Sequence, residues 1–192
     1  STFQITGIVL QNLGDIFLLR AMKIPLENYE IVANDTLNVF QNETLNELRK
    51  IGFNRITAST EINKEDLFRL NPSHLEVIVY GRTPLMTTQY CFMEKTNCCS
   101  SCSSRFCRNK QYFLKDRLSY IFPIKPDTIE TVTTIYNSKI TSISTKELKA
   151  NTFRISLLEE TIEETNKIIQ KIKKGDKLEG KNYTNGNFTK EI

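Results

Sequence analysis

The feature that most constrains the fold is a repeated order of apolar strand, polar turn and amphipathic helix in the first half of the chain. Four strands are predicted at residues 5–10, 29–33, 55–58 and 75–80, and a helix follows each of the first three. Gly52 is the expected end of the second helix and Asn63 the expected cap of the third. Strands spaced about twenty residues apart and joined by helices are typical of a parallel sheet, in a barrel or in a doubly wound fold.

Four such units cannot close a barrel, because closure needs about eight strands. We therefore predict an α/β fold that corresponds to half of a (β/α)8 TIM-like barrel. A cysteine-rich loop, a small accessory region and a long helix are expected to follow it. Strand-like residues begin almost at Ser1, which favours a piece of a longer protein. The expected partners are the N-terminal barrel half of that protein, or a second copy in a homodimer if the half barrel is expressed alone.

Three regions follow from this organisation. Residues 1–90 are predicted to form the half barrel, 91–155 the cysteine loop with accessory strands at 120–124 and 135–144, and 156–192 a helix and polar tail. Ser156 and Glu159 fit a capping box for that helix, and Gly175 is its expected end. The tail after Gly175 is expected to be loosely ordered.

Composition indicates a cytoplasmic protein without a membrane partner. No apolar run reaches the roughly eighteen residues that a membrane-spanning helix needs, and the first ten residues lack the pattern of a signal peptide. The formal net charge is +4. This excess is compatible with an RNA partner, although a solvated basic helix end at residues 167–174 would produce the same count.

All the cysteines lie in one short segment, residues 91–107. Disulfides that hold a fold together join distant segments, so this clustering favours metal or cluster ligation. Four thiolates suit either tetrahedral zinc or a [4Fe–4S] cluster, and the spacing leaves both open, with free surface thiols as a third interpretation. Asp116 and Arg117 follow closely and are candidates to orient the loop by hydrogen bonds to its ligands. The candidate ligands are Cys91, Cys98, Cys99, Cys102 and Cys107.

Polar residues at the predicted strand ends form a second candidate site, because active sites of parallel barrels lie at the C-terminal ends of their strands. Glu61 is a candidate catalytic acid or base. Arg82 is a candidate clamp for a carboxylate or phosphate, and the two residues would equally fit a buried salt bridge with each other. The residues expected to bind substrate are Asn12, Asn38 and Tyr80. Three neighbours, which are also common turn and cap residues, are Asn34, Asp35 and Ser59.

Several blocks of the chain together resemble the collagenase-like (U-32) peptidase family. They are EVIVYGRTPLM at residues 76–86, Tyr90-Cys91, the cysteines at 98–107, YFLKDR at 112–117 and Phe122-Pro123. Weaker blocks at 11–14, 34–40, 59–63, 135–138 and 183–186 extend the resemblance over nearly the whole chain.

This resemblance implies a (β/α)8 TIM-like barrel of which this chain is the C-terminal half, and a cysteine-ligated [4Fe–4S] cluster. Several members of the family are implicated in oxygen-independent or prephenate-dependent hydroxylation of tRNA, rRNA or ubiquinone precursors. Cys91, one of Cys98 and Cys99, and Cys102 match the family's cysteines. Some relatives place a further cysteine where this chain has residues 131–133, so Cys107 is the candidate fourth ligand. A family histidine is replaced here by Asn187.

The leading hypothesis is an iron–sulfur protein of oxygen-independent tRNA or rRNA hydroxylation. A collagenase-like peptidase is the first alternative, although the chain has no His-Glu-x-x-His motif and its only histidine, His74, is poorly placed for a catalytic triad. A zinc-stabilised, non-catalytic binding module is the second alternative. The full-length parent is expected to be an enzyme, and whether this chain alone turns over substrate is left open.

Overall fold

A computed structural model of the chain describes residues 4–92, 111–127 and 129–188. It divides into two compact units. The parallel unit comprises Ser1–Gly81, Ser142–Leu178 and Asn185–Ile192. The antiparallel unit comprises Arg82–Thr141 and Glu179–Thr184.

The parallel unit contains the four strands expected from the sequence. β1, β2, β3 and β4 lie side by side in chain order, and β10 pairs with β4; every one of these pairings is parallel. The strands are Gly7–Leu10 (β1), Glu30–Ala33 (β2), Arg55–Thr57 (β3), Leu75–Gly81 (β4) and Thr152–Ile155 (β10). Gly81 has a φ of 145°, and a Cβ there would lie 2.7 Å from the Ser156 carbonyl oxygen, so the end of β4 requires glycine.

Three helices connect these strands, namely Leu13–Ala21 (α1), Asn42–Ile51 (α2) and Lys64–Arg69 (α3). Consecutive strand residues such as Ile31, Val32 and Ala33 are buried, so both faces of the strands are covered. The buried helix residues include Ile16, Leu45, Leu48 and Leu67. The predicted end of α2 and the predicted N-terminal cap of α3 are confirmed. α2 ends at Gly52, whose φ of 120° disfavours other residues, and the Asn63 side chain accepts a hydrogen bond from the Asp66 amide at the start of α3.

The antiparallel unit contains a four-stranded sheet in the order β5-β8-β7-β6. Its strands are Pro84–Thr88 (β5), Tyr112–Lys115 (β6), Ile121–Asp127 (β7) and Val132–Tyr136 (β8). The predicted single strand at residues 135–144 is wrong, because Asn137 and Ser138 interrupt it and separate β8 from Ile140–Ser142 (β9). A short strand, Tyr183–Thr184 (β11), pairs in parallel with β9.

The last helix begins five residues later than expected. α4 spans Ile162–Lys173, and its capping box is formed by Thr161 and Glu164 instead of Ser156 and Glu159. Ser156 lies immediately after β10, and its amide donates to the Tyr80 carbonyl. The tail is also more ordered than expected, since the Phe188 carbonyl accepts from the Lys64 amide and its ring meets that of Phe68 edge to face.

The predicted half of a (β/α)8 TIM-like barrel is wrong. Over the described residues the chain is a mixed α/β fold with four α-helices, and many of its strands are antiparallel. The repeat that suggested a barrel is present only in the first 81 residues. Short strands joined by helices specify parallel pairing, but they do not specify closure, and the same local pattern is found in open sheets.

None of the helices in the described part of the chain is long and apolar enough to cross a membrane.

Candidate functional site

The carboxyl ends of β2, β3, β4 and β10 carry polar side chains, and parallel pairing brings these ends to one edge of the sheet. Asn38 and Ser59 meet there as the sequence predicted. The Ser59 hydroxyl donates to Asn38 Oδ1 at 3.1 Å and is almost fully buried. Asn38 adopts a left-handed conformation with a φ of 52°, which asparagine tolerates better than most residues.

A buried carboxylate, Glu76 on β4, organises the centre of this region. Its side chain is only 4% exposed and lies between Arg154 and Arg55. Arg154 Nη2 is 2.5 Å from Glu76 Oε1, and Arg55 Nε is 3.1 Å from Oε2. The Thr57 hydroxyl also donates to Oε1 at 2.9 Å. We call Glu76, Arg55, Arg154 and Thr57 the Glu76 cluster.

The Arg154 guanidinium extends this cluster to the end of β2. Its Nη1 donates to Asn34 Oδ1 at 2.6 Å and its Nη2 to the Thr57 hydroxyl at 3.1 Å. Arg55 Nη2 lies 3.3 Å from Glu30, whose side chain is nearly half exposed. The Arg55 Nε contact with Glu76 is ionic and is not aligned as a hydrogen bond. Glu76 of β4 thus contacts both guanidinium groups, Glu30 of β2 contacts that of Arg55, and each arginine side chain is about a quarter exposed.

Asp35 follows β2 and carries a carboxyl group whose pKa is shifted from its ordinary value. Burial raises the pKa of its carboxyl above the ordinary value, and the attraction of Arg154 only partly offsets this. A carboxyl group with a raised pKa at the strand ends is suited to hold and release a proton.

Tyr80 and Glu160 form a second fixed pair in the parallel unit. The Tyr80 hydroxyl donates to Glu160 Oε1 at 2.9 Å, and the Leu158 and Glu159 amides donate to Oε2. Burial alone would raise the pKa of Glu160, but these hydrogen bonds outweigh it and hold the pKa below its ordinary value. Glu160 is thus a fixed carboxylate, and Tyr80 is almost completely buried.

The remaining predicted residues of the parallel unit lie in turns. Asn12 precedes α1, where its amide and its side chain both donate to the Asp15 carboxylate. Glu61 is exposed, and its backbone amide donates to the Ser59 hydroxyl. The catalytic role of Glu61 and the substrate-binding roles of Asn12, Asn38 and Tyr80 stay predictions.

Arg82 and the residues after the cysteines belong to the antiparallel unit. Arg82 Nη1 donates to the carbonyls of Asn137 and Ser138 at 2.8 and 2.7 Å, which fixes the turn after β8. Asp116 Oδ1 accepts from the Leu118 and Tyr120 amides, both at 2.8 Å, and so forms the turn between β6 and β7.

Of the five candidate ligands, the structure describes Cys91 alone. It is a free, half-exposed thiol three residues after the end of β5. Cys98, Cys99, Cys102 and Cys107 lie outside the described residues. Within the described residues no three His, Cys, Asp or Glu side chains are grouped to hold a metal ion.

No protein-family model, curated protein or solved structure matches this chain.

Sequence reasoning missed the Glu76 cluster. The signal was present in the predicted fourth strand, because Glu76 is the one charged residue in an otherwise apolar run. A charged side chain in a buried strand requires a partner of opposite charge. The sequence offered no way to choose Arg154 as that partner, since it lies 78 positions away and its strand was not predicted.

Proposed function

We propose that the chain belongs to a collagenase-like (U-32) family protein that holds a [4Fe–4S] cluster and serves in oxygen-independent hydroxylation of tRNA or rRNA. The observation that carries this proposal is the grouping of all five cysteines in residues 91–107, together with the family-like blocks on both sides of them. Closely spaced cysteines are typical ligands of iron–sulfur clusters, and the chain has no cysteine outside this segment.

The donor chemistry fits such a cluster as far as the structure describes it. Cys91 is a free thiol of intermediate burial, and cysteine sulfur is the usual ligand of iron in such clusters. Three of the remaining four cysteines would complete the set, with Cys98 and Cys99 as alternatives to each other. When bound, the cluster supplies one-electron transfer, with a potential set by burial and hydrogen bonding.

The strand-end residues are proposed to handle substrate and protons. The Glu76 cluster fixes the Arg154 guanidinium at the ends of β2 and β10, where its exposed part is available to an anionic group. Asp35, with its raised pKa, is the group best suited to hold a proton there. Glu160 is held as an anion and serves to position Tyr80.

Anaerobic purification tests the cluster directly. We expect about four irons and four sulfides per chain, with a brown colour, and we expect Cys91→Ala to lose them. Ser101→Ala, in the same segment but without a sulfur donor, is the matched control and should retain them. Stoichiometric zinc, or no metal at all, would overturn the proposal.

A strain that lacks the gene tests the proposed role in RNA hydroxylation. Mass spectrometry of nucleosides from its tRNA and rRNA should lack one hydroxylated base, and the wild-type gene should restore that base, whereas the Cys91→Ala gene should not. An unchanged nucleoside profile in the deletion strain would contradict the assignment to RNA hydroxylation. Cleavage of gelatin by the wild-type protein that persists in Cys91→Ala would instead favour the peptidase alternative.

A further inference from the structure

The positive charge of the chain is concentrated in the antiparallel unit. Residues 82–141 contain nine Lys and Arg against four Asp and Glu, while the whole chain carries a net charge of +4. The rest of the chain is therefore slightly acidic. An anionic partner is attracted to the antiparallel unit.

One face of the antiparallel sheet is buried, and the opposite face is exposed at alternate positions of β6 and β7 except at Pro123, which is buried. Ile124 and Ile135 are paired across β7 and β8 and are both buried. The side chains that alternate with this buried set on β6 and β7 point to the other face. The exposed members there are Phe113, Lys115, Ile121 and Lys125, which we call the Phe113 face.

Strand register places the aromatic ring between the two lysines. Lys115 pairs with Ile121 and Phe113 pairs with Pro123, so Phe113 lies midway along β7 between Ile121 and Lys125. Measured along the strand direction, the positions of Lys115 and Lys125 are four residues apart, which corresponds to about 13 Å. The ring of Phe113 is 50% exposed.

The lysines of this face are available to a partner. Neither Lys115 nor Lys125 forms an ion pair within the described residues. The face continues from Lys125 to Thr134 on β8 and Thr87 on β5, whose hydroxyls lie 3.3 Å apart. The face thus carries two lysines, two hydroxyl groups and one exposed ring, and its apolar members are the exposed Ile121 and the buried Pro123.

We propose that the Phe113 face binds single-stranded RNA, and this proposal rests on the proposed function for the choice of RNA as the substrate class. A base stacks on the exposed ring of Phe113, and Lys115 and Lys125 bind phosphates on either side. Sheet surfaces with exposed aromatic side chains recognise unstacked bases, while lysines along the path of the backbone supply affinity. Double-stranded RNA buries its bases and is not expected to use the ring.

The test measures the affinity of the full chain for a labelled single-stranded RNA of mixed sequence over a range of salt concentrations. Phe113→Ala should weaken binding about tenfold, as loss of one stacked base does. Lys115→Gln with Lys125→Gln should lower the slope of log affinity against log salt by about 1.4, since each single-strand phosphate contact contributes about 0.7.

Two matched controls remove the same groups elsewhere. Phe17→Ala deletes a ring of α1 that is equally exposed, at 50%, and Lys167→Gln with Lys173→Gln deletes two exposed lysines of α4. Both controls should bind within about twofold of the wild type. Circular dichroism melts of every variant show whether it is folded, and Phe113→Leu provides a second, more conservative removal of the ring.

The outcomes separate this proposal from the proposed function. Equal binding by the wild type and the Phe113-face variants overturns the face and leaves the RNA hydroxylation proposal standing. Equal losses in the controls also overturn it, because charge alone would then explain binding. Binding to vesicles of anionic phospholipid but not to RNA overturns both proposals. RNA binding that depends on Phe113 in a protein without iron supports the face and rejects the cluster.

Discussion

Glu76 is a carboxylate whose side chain is almost fully withdrawn from water on a central strand. It is tolerated because two guanidinium groups and the Thr57 hydroxyl contact its oxygens. Buried ion pairs of this kind contribute little net stability over an apolar replacement, but loss of one partner leaves an uncompensated charge. We infer that the Glu76 cluster holds the side chains of Arg154 and Arg55 in fixed positions.

Removing the charge of Glu76 should therefore be costly. Glu76→Gln keeps the shape and leaves two arginines without their shared carboxylate, so we expect the free energy of unfolding to fall by about 3 kcal/mol. Urea denaturation measures the change. Glu47→Gln, which breaks an exposed pair with Lys50, is the control and should cost under about 0.5 kcal/mol. A loss for Glu76→Gln no larger than that of the control would show that the cluster is not organised by its charge.

Asp35 gives a prediction about pH. Its pKa is raised in the folded state, so the folded protein binds the proton more tightly than the unfolded chain does. The contribution to stability is present below the ordinary value of 3.8 and is lost as pH rises through the folded pKa. Asp35→Asn does not titrate, so its stability relative to the wild type should improve between about pH 4 and pH 7. A relative stability that is flat or that falls over this range would contradict the raised pKa.

Single residues with a local signal were predictable from the sequence. Gly52 and Asn63 were placed correctly because helix ends follow from residue chemistry within one turn. Asn38 and Ser59 were correctly expected to lie near each other, because parallel strands end at one edge. Arg154 was not predictable as a partner of Glu76, since that contact depends on how β10 returns to β4.

At the scale of elements, α4 shows how two similar signals compete. The pairs Ser156/Glu159 and Thr161/Glu164 both have the spacing of a capping box. The second pair caps the helix, because residues 152–155 form β10 and Ser156 is engaged by the end of β4. Local pattern alone could not decide this, since the competing strand is stabilised by tertiary pairing.

The two caps can be compared by mutation. Thr161→Ala removes the side-chain oxygen that accepts from the Glu164 amide, so we expect a loss of about 1 kcal/mol in the free energy of unfolding. Ser156→Ala should change it by less than about 0.5 kcal/mol. Thermal unfolding followed by circular dichroism measures both. A larger loss for Ser156→Ala than for Thr161→Ala would place the cap where the sequence first suggested.

The division of residues 135–144 into β8 and β9 had a local signal that the prediction overlooked. Asn137, Ser138 and Lys139 interrupt the run of strand-forming residues, and asparagine and lysine are depleted in strands. The turn at Asn137 and Ser138 makes the break, and the carbonyls of both residues accept from Arg82. The contact with Arg82, which lies more than fifty positions earlier, could not be predicted from the local pattern.

At the scale of the whole molecule, the βα repeat predicted parallel strands correctly and the barrel wrongly. β1 to β4 pair in chain order, as the spacing of strands and helices required. Closure is a property of strand number, tilt and stagger over the full sheet, and four local units do not specify it. The resemblance to the U-32 family remains a proposal that rests on sequence blocks.

The sequence shows where along the chain the positive charge and the cysteines lie, but it does not specify how these residues are arranged in the fold. Both are concentrated between β4 and β9, in the antiparallel unit. The pattern of cysteines predicts a ligand set, and the Phe113 face, which strand register identifies, is the surface that we propose for RNA.

The most direct test of the central claim is iron and acid-labile sulfide content with the visible spectrum, measured on anaerobically purified full chain. The wild type should contain about four irons and four sulfides, and Cys91→Ala and Cys107→Ala should both lose them while Ser101→Ala does not. Loss in both cysteine variants would identify Cys107 as the fourth ligand. A colourless wild-type protein with zinc or without metal would contradict the account.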